Sequence, residues 1–188
     1  MSTRFVPIRA RLRLGAVLLL VVCAVAWPAA QDPSSEYGLK AAFLYQFPQF
    51  VDWPDDAWVD ARRVEICVVG PNPFGRELER LVRGESLHGR PLAVRVLEPG
   101  APFAPCHLLF VSARSPAASL AVLKDLANRP ILTVGEDPAF LQHGGMILLK
   151  IADRRVRFEV DLVNVRRARL RISSQLLALA QSVRGGLP

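Results

Sequence analysis

The chain has 188 residues, about half of them apolar and about a fifth charged. That suits one folded domain with a proper core and excludes a low-complexity or repeat protein. The formal charge of +7 (24 basic against 17 acidic residues) would point to nucleic acid if the folded part carried it. Four of the basic residues, however, stand at the extreme N-terminus with no acid beside them, which leaves 20 against 17, or +3, for the rest.

Those four, Arg4, Arg9, Arg11 and Arg13, precede thirteen uncharged residues from Leu14 to Ala26, which end in Ala24-Val25-Ala26. A basic stretch, an apolar stretch and small residues at the two positions a signal peptidase reads form the pattern of a secretory signal peptide over 1–26. A retained anchor and a lipoprotein are the competing readings. The apolar run stops early at Pro28, and Val22 stands where a small residue should precede a lipidated Cys23. An exported, periplasmic protein is expected, with a lead-in over 27–35, one domain over 36–184 and a tail over 185–188.

Ser34 or Ser35 can cap a first helix whose apolar face reads Leu39, Ala42, Phe43, Phe47 and Phe50, with Pro48 kinking or ending it. Trp53-Pro54-Asp55-Asp56 is a turn. Val64 to Val69 is a short apolar run before Gly70-Pro71 and predicts a buried strand. A helix follows over Phe74 to Val82, then a strand over Pro91 to Leu97 and a proline-rich connection. His107 to Val111 predicts a central strand, and Ser115-Pro116 opens a helix with Leu120, Leu123 and Leu126 inward. Ile131 to Val134 is the next strand, Asp137-Pro138 starts a short helix, and Met146 to Ile151 is a fifth strand. Val156, Phe158, Val160 and Leu162 alternate with Arg155, Arg157, Glu159 and Asp161, as in a half-buried strand returning as a hairpin. A last helix is expected over Ser173 to Val183, with Leu176, Leu179, Ala180 and Val183 inward. Strands that mostly alternate with helices predict an α/β fold: one mostly parallel sheet of about six strands, a C-terminal antiparallel hairpin strand, and helices on both faces.

Little in this order carries chemistry. The loop Gly70-Pro71-Asn72-Pro73-Phe74-Gly75 lies between a strand and a helix, where phosphates bind in many α/β proteins. Two of its six residues are prolines without N–H groups, and it lacks both a GxGxxG spacing and a P-loop lysine. No GxSxG is present, His88, His107 and His143 are scattered, and Glu136-Asp137 reads as a helix cap. No catalytic residue, cofactor or metal site is expected. Once Cys23 leaves with the signal, Cys67 and Cys106 form an even pair in an oxidising compartment. A disulfide is expected there, with two buried thiols as the competing reading. Arg154, Arg155, Arg157, Arg166, Arg167, Arg169 and Arg171 fall within eighteen residues, offset by Asp153, Glu159 and Asp161. They make a solvated face with local ion pairs, a docking surface for an acidic protein, or a contact for anionic headgroups.

Several blocks, taken together and in order, resemble the YfiR family of periplasmic proteins. They are Glu36 to Phe47 with Phe50-Val51-Asp52-Trp53-Pro54; Ile66 to Gly75; Ile131 to Glu136; Phe140 with Gly144-Gly145-Met146-Ile147; Arg157 to Val160; and Leu170 to Ala180. The resemblance covers nearly the whole mature chain, and Cys67 and Cys106 stand where a family cysteine pair is expected. Where Asp161 and Arg169 stand, family members often carry Asn and Gly. The resemblance implies a non-enzymatic repressor that binds the periplasmic sensor part of an inner-membrane diguanylate cyclase and holds cyclic-di-GMP synthesis, and with it biofilm formation, down. It also implies an outer-membrane lipoprotein that sequesters the repressor. A homodimer through an exposed sheet edge is a further expectation. The alternative function is a periplasmic sensor or carrier of a small ligand, bound at the C-terminal edge of the sheet.

Overall fold

The computed structural model describes residues 33–98 and 100–186, with side chains from 36 onward. The signal peptide expected over 1–26 lies outside the described residues, as do 27–32 and 187–188. In chain order the structure runs through α1 (Pro33–Gln46), a 3-10 turn (Phe47–Phe50), β1 (Val51–Asp52), a second 3-10 turn (Asp55–Trp58), β2 (Val64–Val69), α2 (Glu77–Val82), β3 (Ser86–Leu87) and β4 (Arg90–Leu97). It continues through β5 (Cys106–Val111), α3 (Pro116–Asp125), β6 (Leu132–Gly135), β7 (Ile147–Ala152), β8 (Arg155–Asp161), α4 (Leu162–Arg167), β9 (Arg171–Ile172), α5 (Ser174–Leu179) and β10 (Ser182–Arg184).

Eight strands share one sheet in the order β10-β8-β7-β6-β5-β2-β4-β3, while β1 and β9 pair separately. β4, β2, β5, β6 and β7 are mutually parallel. The middle of this run is apolar for a physical reason: β5 and β6 are buried at every residue and β2 at all but its last, as strands covered on both faces must be. β8 returns antiparallel on β7, and β3 is antiparallel to β4. The fold is therefore the expected α/β arrangement, with two more strands than the six read from the sequence.

Helices cover both faces over two cores. One core joins Ala41, Leu44 and Phe47 of α1 and its extension, Leu78 and Val82 of α2, Val165 of α4 and Leu176 of α5 to Ile66, Leu108, Leu132, Ile147 and Phe158 of the sheet. The other joins Leu123 of α3 to Cys67, Leu109, Leu148 and Phe140. Phe140 explains the second of the paired glycines after it, while Gly144 is required by its φ of +102°. A Cβ at Gly145 would stand 2.2 Å from its ring, so only glycine lets the ring lie flat against the backbone.

The disulfide Cys67–Cys106 is formed, with the Cα atoms 5.8 Å apart, and links β2 to β5 beneath the second core. Cys67 is fully buried and Cys106 nearly so.

Several expectations are corrected. α1 begins at Pro33, so Ser34 and Ser35 lie inside its first turn. Its buried face is Lys40, Ala41, Leu44 and Phe47, while Leu39 is 54% exposed, because a buried ion pair described below rotates the helix. Phe74–Arg76 form a turn, and α2 starts at Glu77. The segment after Asp137 is a run of turns rather than a helix. The alternating strand ends at Asp161, whose carboxylate accepts from the N–H groups of Val163 and Asn164 and starts α4, a helix absent from the sequence reading. α4 ends in a Schellman motif: the Leu170 N–H bonds to the Val165 carbonyl and the Arg169 N–H to that of Arg166. Arg169 takes φ +59° there, the left-handed conformation usually given to glycine. The expected last helix stops at Leu179, and residues 182–184 become the edge strand β10.

Candidate functional site

The alternation along β8 builds a charged face. Val156, Phe158 and Val160 point into the first core, so Arg155, Arg157, Glu159 and Asp161 point to the opposite side of the sheet. Register adds their neighbours. Arg157 lies opposite Lys150, Arg155 opposite Ala152, Glu159 opposite Leu148 and Ser182, and Arg184 opposite Asp161. Lys150, Arg155, Arg157 and Arg184 thus gather on one side of β7, β8 and β10.

Two acids lie among them. Asp161 is committed to capping α4. The Glu159 carboxylate, with 12% of its side chain exposed, accepts from Lys150 and stands 3.6 Å from Arg184. The Lys150 hydrogen bond holds the Glu159 carboxyl below its ordinary value against the opposing effect of burial, with Lys150's charge, Ser182 and Arg184 adding to the depression. Neither Arg155 nor Arg157 has an acid within ion-pair distance among the described residues. Two cations directly opposite each other, as Lys150 and Arg157 are, repel.

A pH dependence follows. The unfolded glutamate takes its proton near 4.5, above the folded value, so Glu159 contributes its full stabilisation above that pH and loses it as pH falls through the depressed value. Thermal melts from neutral to acid pH should show a steeper loss of stability in the wild type than in Glu159→Gln. Parallel acid limbs would contradict this.

The remaining sequence-derived arginines lie elsewhere. Arg154 occupies the β7–β8 turn. Arg166 donates to the Gly185 carbonyl at 2.7 Å, Arg167 reaches Asn164 at 3.4 Å, and Arg169 pairs with Asp56 at 2.8 Å. The seven residues of β8, about 20 Å of extended chain, separate the turn arginines from those of α4. Lys150 and Arg184 were not singled out from the sequence. Only the hairpin register places the first beside Arg157, and only the strand β10 brings in the second.

A second charged cluster fixes α1. The Lys40 ammonium, its side chain 4% exposed, lies 2.5 Å from Glu36 and also donates to Glu136, whose other oxygen accepts from the Tyr37 hydroxyl at 3.1 Å. Burial works against the Lys40 charge. Hydrogen bonds donated to Glu136 and then Glu36, together with the charges of both carboxylates, outweigh burial, and the pKa is raised. Glu136 follows β6 directly, so this cluster docks α1 on the C-terminal edge of the sheet rather than capping a local helix; Asp137 makes the local turn through Ala139.

A third group is aromatic. Trp58 stacks on His107 with centroids 4.9 Å apart, and Arg90 lies over Trp58 at 5.1 Å. His107 is 3% exposed, and burial pushes its imidazole below the ordinary histidine value.

The strand order reverses between β2 and β5, and a crevice of about 510 Å³ opens there along the C-terminal edge of the sheet. Val69, Val96, Val111 and Val122 form apolar walls, with Ser112, Glu98 and Arg114 also lining it. Its floor needs Gly70, at φ +90°, where a Cβ would stand 2.2 Å from the Ser112 carbonyl oxygen. The 70–75 loop is held by Asn72, which accepts from the Phe74 N–H and donates to the Gly75 carbonyl.

Among the described residues no group of three or more His, Cys, Asp or Glu side chains could hold a metal ion, and no helix is long and apolar enough to cross a membrane. A protein-family model described as YfiR/HmsC-like matches residues 37–181, from the first turns of α1 to the residue before β10.

Proposed function

The chain belongs to the YfiR/HmsC-like family, and from that premise we propose that it is a periplasmic regulator that acts by binding protein. Its partner in this reading is the periplasmic sensor part of an inner-membrane diguanylate cyclase, and its effect is to repress cyclic-di-GMP synthesis. An outer-membrane lipoprotein that sequesters the chain would relieve the repression. The observation that carries the reading is the match itself, which spans the domain from α1 to the residue before β10. Two features support it. The buried Cys67–Cys106 disulfide suits an oxidising compartment, and the signal pattern of the first 26 residues supplies the route there.

Deleting the gene raises cellular cyclic-di-GMP and surface attachment in this reading, and a plasmid copy restores both. Unchanged cyclic-di-GMP in a strain that carries a functional periplasmic-sensor cyclase overturns it.

The crevice at the switch point favours a second reading, a small-ligand sensor, because its position and apolar lining suit a bound metabolite. A thermal-shift screen of amino acids, nucleotides and cofactors tests it, and silence throughout retires it.

A further inference from the structure

We infer that the face formed by Lys150, Arg155, Arg157 and Arg184 is a docking surface for an acidic, extended segment of a partner protein. The inference rests on the protein-binding reading above and gives it a place and a chemistry.

Charge is the first argument. Four cations share this side of β7, β8 and β10, where one acid is spent on an N-cap and the other is already engaged by two of the cations. Arg155 and Arg157 are left with five guanidinium donors each and no acid among the described residues to receive them. The Lys150–Arg157 juxtaposition adds repulsion that an incoming carboxylate relieves. Arginine forks suit that task, because they pair with carboxylates in bidentate fashion.

Spacing is the second argument. Arg155 and Arg157 are two residues apart on a strand, so they stand about 6.6–6.8 Å from one another. Acidic residues at alternate positions of an extended peptide have the same repeat.

The apolar side chain that shares this side, Leu148, is buried in the second core, which favours protein over a lipid surface. Of the exposed hydrophobics on these strands, Ile151 and Val183 are in register with Val156 and Val160 and so point to the other face. An anionic membrane would be gripped by charge alone, with nothing to insert.

The test uses the secreted mature chain and a fluorescent peptide of alternating sequence, Glu-Val-Glu-Val-Glu-Val-Glu, read by anisotropy. Wild type binds it, with affinity that collapses in about 0.5 M salt. Arg155→Glu/Arg157→Glu binds at least about tenfold more weakly, while Arg83→Glu, an exposed site just beyond α2 on the opposite face, binds as wild type does. Melting curves establish that both variants are folded. The milder Arg155→Gln/Arg157→Gln, weakened by a smaller factor, serves if the reversal does not fold. No peptide binding by wild type, or equal loss in the Arg83 variant, overturns the inference. So does tighter binding to vesicles of phosphatidylglycerol and phosphatidylethanolamine than to the peptide, since a lipid surface is then the occupant. The same variants tested on the cyclase domain separate the two readings. Undiminished cyclase binding by Arg155→Glu/Arg157→Glu overturns this surface and leaves the regulator standing.

Discussion

Replacing Cys67 and Cys106 together by serine should destabilise the mature domain by about 4 kcal/mol, the loop-closure value for a bridge of this span, and lower its melting temperature by about 8–16 °C. The bridge joins residues 39 apart in sequence, so the unfolded chain loses much of its freedom when it is closed. Burial makes the prediction sharper than sequence alone could. Both sulfurs sit under the second core beside Leu109 and Leu126, so a reductant reaches them only when the domain opens. Thiol labelling of the reduced, refolded protein should therefore be slow under native conditions and fast in denaturant. An unchanged melting temperature in the double serine variant would contradict the structural role of the bridge. Rapid labelling of the folded, reduced chain would contradict the burial.

Lys40→Met should cost about 3 kcal/mol, the low end of the range for breaking a buried ion pair. The low end applies because Glu36 and Glu136 keep 27% and 28% of their side-chain surface in water. Methionine preserves the packing of the stem, so the loss reports the charge. Adding Glu136→Gln to Lys40→Met should recover part of the stability, because the carboxylate left facing the helix is then removed. The sign with pH is opposite to that of Glu159. The Lys40 pKa is raised, so its stabilisation is complete below the ordinary lysine value of 10.5 and disappears as pH rises through the folded value. Chemical denaturation of the single and double variants measures both quantities. A Lys40→Met variant as stable as wild type would contradict the idea that this cluster docks α1 on the sheet.

The central strands were legible because burial on both faces leaves a plain mark, as in Val64 to Val69 and in His107 to Val111. The β7–β8 hairpin was legible from strict alternation, and the disulfide from the parity of cysteines in an oxidising compartment. What was missed depends on partners distant in sequence or on a cap that the periodicity hides. Lys40 reads as a solvent residue until Glu136, 96 positions later, is brought to it. Leu162 continues the alternation of β8, and only the side chain of Asp161 accepting from the N–H groups of Val163 and Asn164 shows that a helix begins there. Leu176, Leu179, Ala180 and Val183 recur at helical spacing, yet the Gln181 N–H bonds to the Phe158 carbonyl and the edge of β8 draws the chain into a strand. That last event also completes the basic face, since it carries Arg184 to Glu159. The arginine run in the sequence is divided by the fold: Arg155 and Arg157 join Lys150 and Arg184 on the sheet, Arg166 and Arg167 of α4 serve the backbone and a neighbouring amide, and Arg169 beyond it pairs with Asp56.

The regulator assignment is tested most directly by interferometry, with the purified, oxidised mature protein titrated onto the immobilised periplasmic domain of the membrane diguanylate cyclase encoded nearest to it. A saturable complex with a dissociation constant near or below about 1 µM is the predicted result. No binding up to about 100 µM, with both proteins folded and the Cys67–Cys106 bridge intact, would contradict it.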